Sequence, residues 1–416
     1  MSPWIQIAAR SLARNRRRSL FTMLAIAFGF AAVNIFAGFT EYMFVSLRDA
    51  FIYAQGNGHL TIFKKDFLTE GQIDPKNYLL TETDLATIKA VCQADPRTLT
   101  VTPKLFISGM ISNGKTSTIA IAAGVVPSDI AAINKRATGT IGRAKLFTGQ
   151  PLDDKEGFGV GVGTALARKL KLDLGSDAVI MSPTVDGQMN ALDIKILQTF
   201  DAPVEALNDK LMIIPLSLAQ NLYDTKGADR VCVLLNDKDQ TDIMRDELTS
   251  TLAAKGIPVE IKTWYEISDM YERTKKMFDI IFLFLFIIVM GIVVMSVVNT
   301  VGMSVMERIQ EIGTLRALGV KRRGILKLFA LESGLLGAAG CLAGVILTLI
   351  SWTAIKLAGP SWVPPAISRR VPLEVYLVPR YLIISFACLI LLSILAAVFP
   401  ARKAACSNIV ESLGHV

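Results

Sequence analysis

Residues 305–332 read VMERIQEIGTLRALGVKRRGILKLFALE, a basic, amphipathic stretch set between two apolar ones. The run before it, 280–298, carries no charge, and neither does the run after it, 333–355. Within the stretch, Ile309, Ile312, Leu315 and Leu318 recur every three residues along one side of a helix, while Glu307, Arg308, Glu311 and Arg316 occupy the others. Arg308 and Glu311 are spaced to pair. Gly319 supplies a helix stop, and Lys321, Arg322 and Arg323 suit the negative end of the helix dipole. A short charged helix between two membrane spans is placed to dock a cytoplasmic partner. The competing reading is a helix resting on anionic headgroups, against which the outward acids Glu307 and Glu311 count.

The chain outside this stretch supports the membrane reading. Its 416 residues are 52% apolar with a mean hydropathy of +0.45, too apolar for an average soluble protein. Residues 20–40 carry no charge and, at about 1.5 Å per residue, reach about 31 Å, enough for a hydrocarbon core of about 30 Å. Residues 280–305 and 333–355 are as long or longer, and 381–399 is the shortest run. The expected fold is an α-helical membrane protein with four transmembrane helices and a large mixed α+β extracytoplasmic domain between the first and second. The divisions are a cytoplasmic basic segment over 1–19, transmembrane helix 1 over 20–41, the two-subdomain α+β domain over 42–272, and the stalk end with helix 2 over 273–304. Then come the coupling loop over 305–324, helix 3 over 325–357, a short outer loop over 358–376, helix 4 over 377–400 and a cytoplasmic tail over 401–416.

Basic residues set the orientation. Arg10, Arg14, Arg16, Arg17 and Arg18 precede the first span, the middle loop adds Arg308, Arg316, Lys321, Arg322, Arg323 and Lys327, and the tail adds Arg402 and Lys403. Arg369, Arg370 and Arg380 oppose them, but the first set is larger and places both termini and the middle loop in the cytoplasm. Residues 42–272 hold 24 Lys and Arg against 29 Asp and Glu, so the net charge of +8 comes from the membrane flanks, which face anionic lipid. No nucleic-acid groove is implied. The segment RRRSLF before the first span resembles a secretory signal, but the apolar run is too long and no A-x-A site is followed by a polar mature start, so a signal anchor is expected.

Within the outer domain, 58–63 alternates like a strand and 80–90 reads as a helix. Strands over 105–112 and 117–125 meet at Asn113-Gly114, a hairpin signal. Further on, 161–172 reads as a helix, 178–182 as a strand, and Asp186-Gly187 as a turn; 211–215 is a strand running into a helix over 216–223. Strands at 231–235 and 259–262 flank a helix at 240–255. Residues 134–156 form a charge-rich connection, and 264–279 is expected to run unbroken as a helical stalk into the second span. The third span carries Gly334, Gly337, Gly340 and Gly344, a spacing suited to close helix packing in lipid. Of the five cysteines only Cys92 and Cys232 share the outer compartment, where a disulfide or two buried thiols are both open.

Residues 109–116, GMISNGKT, match G-x-x-x-x-G-K-[ST] in full. A phosphate loop needs a helix after it, so that a helix N-terminus meets the phosphate. The following run reads as a strand, and the Asn-Gly pair reads as a turn, so nucleotide binding here is not expected. Two histidines, His59 and His415, cannot build a His-based metal site. No hydrolase or paired-carboxylate pattern appears, so no catalytic or metal residue is assigned and this chain is not expected to be an enzyme.

The wording Asn299-Thr300, Met306-Glu307-Arg308, Glu311-Ile312-Gly313, Arg316-Ala317-Leu318-Gly319 and Glu332-Ser333 resembles the FtsX-like permeases of ABC transporters, which include lipoprotein-releasing permeases and MacB-type exporters. Further matches are Ala9-Arg10, Asn15-Arg16 and Arg18-Ser19 near the start, and Pro400 to Ala405 with Glu411 to Leu413 at the end. In the outer domain, 163–175 and 214–222 are similar to the family's periplasmic module. The resemblance spans nearly the whole chain and leans towards the lipoprotein-releasing members. It implies an inner-membrane subunit of a bacterial cell. Its partners would be a separate cytoplasmic ABC ATPase that binds ATP and Mg, a second permease copy or paralogue forming a dimer, and membrane lipids, with room for a periplasmic carrier or adaptor protein. No cofactor is implied in this chain itself.

The resemblance further implies that Glu307, Arg308, Glu311, Ile312, Leu315, Arg316 and Gly319 belong to a coupling helix seated on the ATPase. The stalk would pass its motion outward by mechanotransmission. In lipoprotein-releasing relatives cargo enters between the first and second spans, which implicates Phe36, Phe39, Tyr42 and Met43 with Phe278, Phe282 and Phe286 opposite; bundle-packing or lipid-facing roles explain the same residues. Three functions stay open: extraction of lipoprotein or other lipid-anchored cargo, MacB-like export of periplasmic peptides or amphiphiles with an adaptor and outer-membrane duct, and a signalling scaffold that transports nothing.

Overall fold

In the computed structural model, which describes residues 6, 8, 10, 12, 14, 16–71, 73–137, 147–154, 157–202, 205–362 and 370–406, four helices are long and apolar enough to cross a bilayer. Residues 138–146 and 155–156 of the 134–156 connection lie outside the described residues, as do Ala9, Asn15, Arg369, His415 and the tail beyond Cys406. The chain forms two compact units, one helical and the other comprising residues 44–274 and 361–372.

Helix α1 (Arg16–Asp49) ends in a five-residue π-helical turn, Ala50–Ala54. In the second unit, β1 (Leu60–Lys64), α2 (Glu82–Gln93) and the 15-residue β2 (Thr98–Ser112) follow. Helix α2 starts where it does because Thr81 and Asp84 form a reciprocal capping box. Next come β3 (Ser117–Val125), α3 (Pro127–Asn134), β4 (Phe147–Gly149), β5 (Gly159–Gly163) and α4 (Thr164–Leu170). Strands β6 (Asp177–Pro183), β7 (Met189–Phe200) and β8 (Leu211–Pro215) lead to α5 (Leu216–Tyr223), β9 (Arg230–Leu235), α6 (Thr241–Ala254) and β10 (Val259–Thr263).

Strand β2 serves two sheets. Its first half pairs with β9 in an antiparallel layer ordered β10-β1-β9-β2. The inward side chains of this layer, Leu60, Ile62, Val231, Val233 and Leu235, pack with Ile88 of α2 and with Met244, Leu248 and Leu252 of α6. Because strand residues alternate faces, Cys232 points away from that core, whereas Cys92 belongs to it. Both thiols are free and buried, on opposite faces of one sheet. Burial pushes Cys92 up to about 12.

The second half of β2 closes a ring, β2-β3-β8-β5-β7-β6 and back to β2. A closed ring leaves no exposed edge among its members. Ile107, Ile111, Ala120, Ala122, Val160, Val162, Ile180, Ile194, Ile196, Met212 and Ile214 fill it. Two expectations are corrected here. The helix read over 161–172 begins only at Thr164, because Gly159–Gly163 is a fully buried strand. Strand β7, twelve residues long, had no assignment, because its first five residues are exposed or half-buried and carry no apolar alternation.

At the root of this unit, buried Lys104 donates from Nζ to the Gln55 carbonyl at 2.8 Å and to Asn57 Oδ1 at 2.9 Å. Asp229 accepts from the Phe106 N–H and pairs with Arg230 at 2.8 Å, and the Arg230 guanidinium lies 5.0 Å from the Phe63 ring and 4.5 Å from Phe106. His59 Nδ1 accepts from the Leu235 N–H at 3.1 Å. Burial, seconded by Arg48, lowers His59 to about 4.

Past β10 come the single turn α7 (Trp264–Ile267) and the 39-residue α8 (Asp269–Glu307). The stalk is therefore not unbroken from Trp264: Ser268 takes φ −83° and ψ 76° and separates the two helices. Trp264 and Tyr271 pack across the break, their centroids 4.7 Å apart. Helices α9 (Ile309–Ala317), α10 (Arg322–Ala358) and α11 (Pro379–Cys406) follow, and the two-residue strands Ser361–Trp362 and Val371–Pro372 pair between the last two.

In the helical unit α1 touches each of its long neighbours. A Cβ placed on Gly29 would meet Val289 of α8 at 2.8 Å, and one on Gly340 or Gly344 of α10 would meet Ile26 or Phe30 at 2.8 Å. Hydrogen in place of a methyl is what admits this approach, and lipid supplies no hydrophobic drive to replace it. Asn34 donates to Ser385 of α11 at 2.9 Å, and Thr22 bonds Thr300 of α8 at 2.5 Å.

Candidate functional site

Helix α8 ends at Glu307, which thus precedes the short helix rather than belonging to it. Arg308 leaves helical geometry at φ −117°, ψ 20°, and α9 runs from Ile309 to Ala317. The stop is a Schellman motif: the Val320 N–H donates to the Leu315 carbonyl at 3.1 Å and the Gly319 N–H to the Arg316 carbonyl at 3.0 Å. Gly319 stands at φ +94°, a conformation side chains resist. Leu315 and Val320 both pack on the helical core.

The four-residue apolar seam does not all face inward. Ile312 is buried, Ile309 and Leu315 are half-buried, and Leu318 is 77% exposed. At about 100° per residue, steps of three slip by about 60° each, so Leu318 stands half a turn away from Ile309. It projects outward beside exposed Lys321, Arg322 and Arg323.

The acids are also engaged more than their outward placement suggests. Glu311 is half-exposed, yet it accepts from Arg308 Nε at 2.8 Å and from Arg14 at 3.3 Å. Those two partners, Arg308 first, hold its carboxyl below the usual range. Glu307 pairs with Arg18 at 2.8 Å. On its other side Arg308 Nη1 lies 3.5 Å from Glu332 Oε2, and both side chains are close to nine-tenths buried. Arg316 lies half-buried on the same helix. The α9 segment is thus tied to α1 through Arg18, to Arg14 just before that helix, and to α10 through Glu332. Reading residue types alone counted Arg14 and Arg18 as membrane-flank charge; partners 297 and 289 residues away leave no local signal.

The residues proposed to face cargo separate into two groups. Phe39, Phe278, Phe36, Phe282 and Phe286 form a column of rings with successive centroids 6.2 Å apart, joining α1 to α8. Tyr42 and Met43 are buried, Tyr42 edge-on to Tyr376 at 5.5 Å. Packing within the helical unit accounts for this burial.

The stretch 109–116 is a hairpin. Ser112 pairs with Ser117, Asn113 Oδ1 accepts the N–H groups of Lys115 and Thr116, and Gly114 takes φ +82°. The strand β3 that follows presents no helix N-terminus to a phosphate.

Residues 19–251 match the MacB-like periplasmic core domain, and residues 282–409 match the FtsX-like permease C-terminal. The chain belongs to the MacB/FtsX family of ABC transporter permeases. It is 24% identical to the macrolide export ATP-binding/permease protein MacB of Escherichia coli K12 over 99% of its own length and 60% of that protein's. It is 25% identical to an ABC transporter permease of Methanocaldococcus jannaschii, over 50% of this chain and 51% of that one. The chain therefore spans about half to three fifths of these relatives. The periplasmic region of MacB from Actinobacillus actinomycetemcomitans superposes with a TM-score of 0.37 at 14% identity, covering 52% of this chain and 94% of that one. With four apolar helices and a periplasmic-type domain, this MacB/FtsX permease is an inner-membrane protein.

Proposed function

We propose that this permease converts nucleotide-driven movement of a cytosolic ABC ATPase into movement of its periplasmic domain. The observation that carries the reading is α9. It is a capped, charged helix between two apolar spans, presenting Leu318 and a basic cluster outward while its acids are tied back into the chain. A groove on the ATPase that accepts one apolar knob beside acidic groups fits that surface. ATP and its Mg would bind in that partner. Two permease copies, or a copy and a paralogue, would assemble around the ATPase pair, with α8 carrying motion towards the domain.

For cargo, similarity along nearly the whole chain to a macrolide exporter supports outward transfer of amphiphiles or peptides already in the periplasm. Extraction of a lipid-anchored protein is the second reading, favoured by the phenyl column between α1 and α8, which an acyl chain would have to part. A carrier or adaptor would receive cargo in either case.

The test is Glu311→Lys. It removes the acceptor for Arg308 and Arg14 and sets a cation between them, so the complex should assemble while ATP hydrolysis no longer drives the periplasmic step. Coupled activity at the wild-type level in that variant would remove the docking role of α9.

A further inference from the structure

The Arg308 guanidinium reaches both Glu311 on α9 and Glu332 in α10, at 2.8 Å and 3.5 Å. Glu332 sits directly before the charge-free part of the third span and is only 7% exposed. A carboxylate in such a place is strongly disfavoured unless a cation accompanies it. Its surroundings are mixed: Ser19, Thr300, Ser304, Ser333 and Arg18 line a cavity with it, beside Leu12, Val301 and Leu336, with room for about one water. The Ser304 and Ser333 hydroxyls are buried and make no hydrogen bond among the described residues. Core positions occupied by hydroxyls and a carboxylate, where leucine would pack, mark a place kept for charge.

We infer that Glu332 is a positioning residue for coupling: it grips Arg308 from inside the bundle, so that displacement of α9 is passed directly to the base of α10. Arg18 does the same for α1 by holding Glu307. The arrangement is an alternating chain, Arg14–Glu311–Arg308–Glu332, exposed at its Arg14–Glu311 end and buried at its Arg308–Glu332 end. Buried ion pairs resist separation far more than surface ones because a stranded partner stays in low dielectric. The pair therefore acts as a stiff link between α9 and α10.

The inference rests on the reading of α9 as the ATPase contact, and the experiment separates the two. The intact complex in native membranes would carry Leu318→Cys for cross-linking to the ATPase, combined with Glu332→Gln, Arg308→Lys, or the exchange Glu332→Arg with Arg308→Glu. The expected result is an unchanged Leu318→Cys cross-link, coupled activity reduced by about tenfold or more in Glu332→Gln, a smaller loss in Arg308→Lys, and partial recovery in the exchange. Should Glu332→Gln fail to assemble, the exchange alone decides, since recovery of assembly and coupling together supports the link and its absence overturns it. A cross-link that persists while Glu332→Gln couples normally overturns the role of Glu332 and leaves the docking reading standing. Loss of the cross-link in the otherwise wild-type chain overturns the docking reading itself.

Discussion

Single residues in the outer domain hold its root together, and two of them make measurable predictions. His59 is kept neutral by burial, with its folded value near 4 against an ordinary value near 6.5. A depressed value means the unfolded chain binds the proton more readily, so the stabilisation is whole above pH 6.5 and is lost as pH falls towards 4. The loss amounts to about 3 kcal/mol at most. Thermal melts of the purified protein between pH 7 and 4 should show a steeper decline for the wild type than for His59→Gln, and equal slopes would contradict the assignment. Lys104 is buried and its ammonium is lowered by that burial. Lys104→Met leaves the Gln55 carbonyl and Asn57 Oδ1 without their donor, and should cost about 1–3 kcal/mol by denaturant titration. These groups were invisible in the sequence, because nothing local marks a lysine or a histidine whose partners come from other strands. Asn113-Gly114 was legible for the opposite reason: a turn is made by the residues that spell it.

Elements were legible where pattern and burial coincide. The four spans stood out through length and charge exclusion, and the α9 stop through Gly319. What failed were elements whose sequence pattern serves two environments. Strand β7 is exposed at its start and buried in the ring at its end, and Gly159–Gly163 looks like a helix approach until the ring packs around it. The break at Ser268 interrupts a helical pattern that continues through it, since the Trp264–Tyr271 contact is tertiary. At this scale Gly319→Val should strain the Schellman turn by about 1–2 kcal/mol and weaken coupling before it weakens assembly. Gly340→Leu should lower the Tm through collision with Ile26. Gly302→Leu, with no atom within 4 Å of its Cβ position, should leave the Tm near that of the wild type.

For the whole molecule, the four apolar helices, the mixed periplasmic-type domain and the family were legible in the sequence, whereas cargo was not, because a four-span permease does not carry its substrate in its pattern. Depletion of the protein distinguishes the readings: sensitivity to macrolides or peptides is expected for export, and retention of lipoproteins in the inner membrane would favour extraction instead. Beneath both lies the claim that α9 meets the cytosol and the mixed domain lies on the other side. Labelling by a membrane-impermeant maleimide tests it most directly, with Leu318→Cys and, separately, the exposed Ile119→Cys, each in a chain whose five cysteines are replaced. The account predicts that Leu318→Cys reacts in inverted vesicles stripped of the ATPase and not in spheroplasts, and that Ile119→Cys does the reverse. Labelling of Leu318→Cys in sealed spheroplasts would contradict it.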